Sequence, residues 1–480
     1  MNNSGLLQLL KKFDKQQLKD FNNFVKSPFF NSNKALISLY EYIRKQYPQF
    51  EPAKLEKQYI SRKIFGKAEY NDGFFRVLMS NLQSLAEDYL TYTGMLSEPH
   101  IKKKYLLSEL NRLGENKLAE RILKKELDAL EDAAPAHPDD YIGLYNMAFY
   151  RRYFYSTKFT VNKSSKPDTW IYDEQKYLIY HFLLRLLADH FYHLNQQNVI
   201  NYKPKLYFLE EASLFLERNK EFLDSPVLNI TYLRVLLLKN NRMEDFQRLK
   251  ENFIEIFDKL GRKDNFNTVS VILNFCYRIY YDTGNELMMR ERLNILKFAI
   301  GNGLTSFEDN EPFDSHWFFN TINTGFDLGE TEWTEDFLNK YSSKVHPEKV
   351  NFLINIGMAF SSFNKGKFGE SLEYISKIRK ISSASEKFSL KIHQMRVYYE
   401  MDMPEQSEAA ADTFRHVLQN DKVISEFNKV LFGNFHAFYS RLLKMKSNPA
   451  KADKTKLRSE LSKTNKVFHK KWLLKKTDEL

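Results

Sequence analysis

Cysteine is nearly absent. A single thiol, Cys276, in a chain of 480 residues excludes an internal disulfide framework and any zinc site built from several thiolates. Glycine (16) and proline (13) are scarce as well, where ordinary usage gives about 34 and about 24. Folds made of many short strands need both residues at their turns, so the shortage argues against a β-sandwich, a propeller or a long disordered chain. No stretch approaches the roughly eighteen uncharged apolar residues of a membrane span; even LRVLLL at 233–238 is closely followed by Lys239 and Arg242. The first residues, MNNSGLLQLLKKFDKQQ, hold a short apolar patch broken by Lys11 and Lys12 and lack the apolar core and cleavage site of a secretory signal. A cytoplasmic location is therefore expected, and the final TDEL reads as a chance likeness to a retrieval tag.

What is abundant is apolar and aromatic surface, 43% and 15% of the residues. That is enough to bury large cores, and it predicts a folded helical chain of roughly two to four domains or one extended repeat array. Helical periodicity recurs from end to end. Leu36, Leu39, Tyr40, Ile43 and Tyr47 fall three or four residues apart, as do Leu78, Leu82, Leu85 and Tyr89. Ile272, Phe275, Cys276 and Ile279 repeat the pattern, which puts the lone thiol on a core stripe. Residues 157–161 and 198–202 are the only stretches with strand-like alternation, and both read as loops.

Between helices the chain turns at Gly114, Gly284, Gly329, Gly366 and Asp402. The last four are separated by 45, 37 and 36 residues, a period that belongs to stacked helical hairpins. The clearest unit is NIGMAFSSFNKGKFGESLEYISKI at 355–378. It resembles a tetratricopeptide repeat: Gly357 and Ser371 stand at the small positions, Phe360 and Phe368 at the aromatic ones and Ile378 at the last packing position, with one extra residue in the turn and no terminal proline. Residues 328–341 and 397–414 resemble it more faintly, so the likeness covers about residues 225–420. It implies an all-α solenoid of helical hairpins, a right-handed superhelix, whose inner face holds a partner peptide or domain.

Composition divides the chain into an N-terminal helical domain (1–95), irregular helical hairpins (96–224), the repeat array (225–440) and a basic C-terminal helix or cap (441–480). Residues 94–100, GMLSEPH, read as a linker, and 131–140 and 156–168 as polar loops.

Charge is segregated. Residues 298–339 carry nine carboxylates and no Lys or Arg, with Trp317, Phe318, Phe319, Phe326, Trp333 and Phe337 interleaved. This pattern predicts an acidic groove with aromatic walls for a basic, partly apolar peptide. Residues 441–480 are net +9. There Leu457, Leu461, Phe468 and Trp472 make an apolar stripe ringed by Lys463, Lys466, Lys470, Lys471, Lys475 and Lys476. The expected role of this segment is to cap the array; the other reading is weak, salt-sensitive contact with a nucleic acid.

Catalytic chemistry has little to stand on. No phosphate-cradling glycine loop, nucleophile elbow or zinc-helix motif occurs. His181, His190 and His193 with Asp189 are best read as packed histidines, since adjacent helical residues point about 100° apart. The acidic loop 307–314 lacks the spacing of a calcium loop. The chain is expected to be a non-enzymatic interaction scaffold without cofactor or metal. Asn274, Arg278, Asn320, Asn323 and Asp327 are its candidate inner-face residues, projecting opposite the packing stripes.

Overall fold

The computed structural model describes residues 4–66, 70–132, 135, 137–156, 170–199, 203–381, 383–448 and 453–480. Twenty-three α-helices account for most of them, and a single bridge between Phe313 and Val345 is the only extended pairing among the described residues. The chain is all-α, as its periodicity predicts. It divides into two compact units, Met1–Ala133 with Gly143–Glu174, and Ala134–Ile142 with Gln175–Leu480.

The first unit holds α1 (Gly5–Leu10), α2 (Lys15–Lys26), α3 (Lys34–Arg44), α4 (Lys57–Phe65), α5 (Asp72–Ser97), α6 (Pro99–Arg112) and α7 (Asn116–Asp132). Helix α2 starts on a capping box: Asp14 accepts from the Gln17 amide at 2.7 Å, and the Gln17 side chain accepts from the Asp14 amide at 2.9 Å. The apolar stripes of α1, α2, α3 and α5 then close over Phe21, Tyr40, Leu82 and Tyr89. Gly94 does not open a linker. Helix α5 runs through it to Ser97, and Pro99 starts α6, where a missing amide hydrogen leaves nothing unsatisfied.

Helices α8 (Pro138–Ser156) and α9 (Trp170–Val199) carry residues of both units. The expected loop at 156–168 and the alternating stretches at 157–161 and 198–202 fall wholly or largely outside the described residues.

The second unit continues with α10 (Leu209–Arg218), α11 (Pro226–Asn240), α12 (Met243–Ile256), α13 (Arg262–Thr283), α14 (Leu287–Gly301), α15 (Ser315–Asp327) and α16 (Thr331–Tyr341). It is completed by α17 (Pro347–Asn364), α18 (Phe368–Ser376), α19 (Ala384–Glu400), α20 (Pro404–Asn420), α21 (Glu426–Ser447), α22 (Lys454–Lys463) and α23 (Lys470–Glu479). Consecutive helices from α11 to α20 pack as pairs, and α11 on α13, α15 on α17 and α17 on α19 link one pair to the next. Such a stack is consistent with an α-solenoid.

All five turns anticipated in the sequence contain a left-handed residue: Gly114, Gly284, Gly329, Gly366 and Asp402 have φ between 54° and 77°. Only this backbone sign reverses the chain tightly after a helix, which is why four of the five are glycine. Gly357 serves a different need. A Cβ there would lie 2.8 Å from both Leu338 methyls, so its bareness lets α17 approach α16. In the same unit Ser371 is fully buried and donates to the Ala359 carbonyl at 2.8 Å.

Candidate functional site

Residues of α11, α13, α14, α15, α19 and α21 converge on a partly open cavity of about 530 Å³. Val271, Phe275, Phe319, Phe432 and Phe468 make much of its wall apolar. The sequence candidates Asn274, Arg278, Asn320 and Asn323 all line it, brought together because spacings of three and four place each helix's polar group on the side away from its packing stripe. Asp327 lies outside the cavity, one turn beyond Asn323 on α15.

The sequence reading passed over Arg292, which sits among the apolar residues of α14 in LMMRERLNILKF. Its side chain is 3% exposed, donates from Nη1 to Thr324 at 2.6 Å and lies over the Tyr277 ring at 5.3 Å, while Nε has no partner. Arg278 lies over the Phe427 ring at 5.4 Å. Burial makes both guanidinium groups less basic than usual. Neither makes an ion pair among the described residues, and no Asp or Glu lines the cavity. Asp282, Glu426 and Lys466 appear only in the neighbouring, more open recess that shares Asn241, Arg278 and Phe427.

The basic C-terminal segment also differs from expectation. Instead of one helix it forms α22 and α23, broken where Lys466 and His469 take left-handed conformations. The break follows from capture of the backbone: the Lys466 amide donates to the Tyr281 carbonyl near the end of α13 at 2.8 Å, a group the helix itself leaves unsatisfied. Leu457, Leu461, Phe468 and Trp472 are all buried, as the stripe predicts. A cap on the array's end would touch only the last pair. This tail reaches α13, α15 and α19 as well as α21.

Lys466 pairs with Asp282 at 3.1 Å, Lys471 with Glu286 at 2.7 Å and Lys476 with Glu400 at 2.7 Å. The last pair is buried and therefore consequential, whereas the Lys471 pair is exposed on both sides and contributes little. Trp472 donates from Nε1 to the same Glu400 at 2.7 Å. Lys470 donates to the Ser462 and Thr464 carbonyls, Lys475 lies 3.9 Å from Glu479, and Lys463 is exposed.

His469 sits 3.5 Å from Asp327 and 3.2 Å from Arg396. Burial, then Arg396 and His393, push this imidazole well below its usual value. The surrounding protein raises the Asp327 carboxyl to about 6 although 26% of its side chain still meets water; Arg396 and Arg292 limit the rise.

The acidic window does not form an aromatic-walled groove. Trp317, Phe318, Phe319, Phe326 and Phe337 turn into the core, and Trp333 carries Lys297 over its ring at 4.4 Å. Glu308, Asp309 and Glu311 lie in the loop between α14 and α15 rather than on the helices that carry the rings, and carboxylates of the window pair with cations from outside it: Glu308 with Lys263, Glu330 with Lys297 and Glu335 with Lys365. Asp314 caps α15 through the Trp317 amide.

The histidine-rich stretch of α9 is built into the packing. His181 contacts the Pro138 carbonyl at 2.8 Å, His190 contacts the Tyr207 carbonyl at 2.9 Å, and the His193 ring lies 5.8 Å from Tyr192. No group of three or more metal-ligating side chains gathers among the described residues. Cys276 is fully buried and its thiol is pushed up to about 12, so it is not the thiolate a nucleophile requires. No helix among the described residues is long and apolar enough to cross a membrane.

Compared with known proteins, the chain matches no family model, no curated protein and no solved structure.

Proposed function

We propose that the second unit is a non-enzymatic interaction scaffold whose inner face holds a basic, aromatic-bearing helical segment of a partner protein. The observation that carries this reading is the seating of the chain's own tail. Lysines on the inner carboxylates, together with Phe468 and Trp472 in aromatic contacts, display the chemistry the surface accepts. Charge steers such a segment, and burial of its rings holds it. The tail is then the resident occupant, and a partner segment of like chemistry competes for its place. The same contacts weigh against phosphate-backbone binding by the tail, since Lys466, Lys471 and Lys476 are already engaged with carboxylates.

The test is a labelled peptide of residues 453–480 titrated into the full chain and into the full-length Lys466→Glu/Trp472→Ala variant, whose own tail is loosened. Fluorescence anisotropy is expected to show the variant binding the peptide at least about ten-fold more tightly than the parent. If neither protein binds the peptide, the inner face is not a peptide-binding surface.

A further inference from the structure

Two guanidinium groups at a largely apolar cavity without a carboxylate present an unbalanced charge. Arg292 is almost wholly buried, its Nε is unpartnered, and its only hydrogen bond among the described residues goes to a neutral hydroxyl. Arg278 lies over an aromatic ring, and Asp282, which acts on it electrostatically from the neighbouring recess, makes no ion pair with it among the described residues. Asp327 acts on Arg292 only at longer range, without an ion-pair contact, and a buried cation so incompletely compensated is costly; an anion delivered from outside relieves that cost. The Oδ1 of Asn428, a second lining residue, is likewise buried without a partner. The remaining wall is largely hydrocarbon and rings, interrupted by neutral polar groups such as Asn274, Asn320, Asn323 and Ser389.

The size of the space selects the class of ligand. About 530 Å³ remains with Phe468 of the tail in place as part of the wall. That volume lies within the range of small-molecule sites, roughly 300–1,000 Å³. It suits neither a folded domain nor a second helix.

We propose that this cavity is a binding site for a small amphiphilic anion, a carboxylate or phosphate monoester on an aliphatic or aromatic body. The headgroup lies toward Arg278 and Arg292, and the body lies against Phe275, Phe319 and Phe432. Guanidinium suits both headgroups because its fork of donors matches two oxygens at once. Phe468 closes part of the site, so ligand and docked tail support each other. The site does not rest on the proposed capture of a partner segment, because the cavity exists with the tail seated.

The experiment is isothermal titration calorimetry on the full-length protein, with dodecanoate below its micelle concentration and 1-naphthyl phosphate as the two anionic probes. Dodecyltrimethylammonium serves as the cationic control. At least one anion is expected to bind one per chain while the cation does not. Arg278→Gln is expected to weaken that anion about ten-fold or more. Asn320→Trp, which fills the space from a half-buried position, is expected to abolish binding while circular dichroism stays that of the parent. Preference for dodecanoate identifies a lipid-like carboxylate, and preference for the aryl phosphate a phosphorylated ring. Absence of binding by both anions, equal binding of the cation, or affinities unchanged in both variants overturns the site. None of these results bears on whether the labelled tail peptide binds.

Discussion

The interiors of the two units are chemically unlike. Among the described residues of the first, the buried positions are aliphatic and aromatic, and the polar ones are the uncharged Asn22, Asn31 and Ser61. In the second, Arg234, Asp245, Arg292, Glu386, His393 and Lys476 are buried alongside the hydrophobic residues. Hydrocarbon alone suffices to hold a helical unit together, and each buried charge must be compensated before it contributes anything. In the second unit most of that compensation is internal: Arg234 pairs with Asp264, Glu386 with Lys349 and Lys476 with Glu400, whereas Arg292 has no ion pair among the described residues.

Truncation sharpens this contrast most. Phe21→Ala in the first unit removes a fully buried ring packed against Tyr40 at 4.6 Å and is expected to cost about 3–5 kcal/mol in urea unfolding, with little dependence on salt. Asp264→Ala in the second unit strands Arg234, paired with it at 2.9 Å, and is expected to cost about 3 kcal/mol. Its signature is recovery: the double variant Arg234→Met/Asp264→Leu should regain most of the loss, because no unpaired charge is left behind. If the double variant is as unstable as the single one, the buried cation is not the source of the cost.

Two helical glycines are expected to respond with opposite signs. A Cβ at Gly325 would meet Thr334 Oγ1 at 2.2 Å, so Gly325→Ala should destabilise by about 1–3 kcal/mol. Gly94 has nothing within 4 Å of its would-be Cβ, so Gly94→Ala should stabilise by about 0.5–1 kcal/mol. Thermal denaturation of both variants reads the difference.

Acid should act mainly on the second unit. His190, His393 and His469 are held below the ordinary imidazole value of 6.5, first by burial. The unfolded chain therefore takes up protons before the folded one as pH falls through 6.5, and stability drops. Asp327, raised to about 6, works the other way between about 6 and its ordinary 3.8, since there the folded form binds the extra proton. Tm is expected to fall between pH 7.5 and 6 and to go on falling below 6, because three imidazoles outweigh the one carboxyl. His393→Gln, which keeps a polar group beside Ser371 at 3.0 Å, should reduce the fall by up to about 1 kcal/mol.

Much of this was legible in the sequence. Periodicity fixes which side of a helix is apolar, so the all-α architecture, the five turns and the convergence of Asn274, Arg278, Asn320 and Asn323 follow from local spacing. Arg292 was not legible, because a cation inside an apolar run looks like a solvated outlier until the neighbouring helices close over it. The acidic window misled for a related reason: rings and carboxylates that alternate in the sequence separate once α15 and α16 turn the rings inward and Glu308, Asp309 and Glu311 stay in the loop before them. The break in the tail depends on a carbonyl from α13, far away along the chain, and nothing at residues 464–469 announces it.

Trp472 gives the tail an optical signature of its own. Its indole lies 5.4 Å from the Tyr399 ring and 6.3 Å from that of Tyr439, with its N–H held by Glu400. An indole in that setting emits at shorter wavelength than one in water, and only the residues of α19 and α21 supply the setting. Release of the C-terminal segment should therefore red-shift the Trp472 share of an emission to which Trp170, Trp317 and Trp333 also contribute.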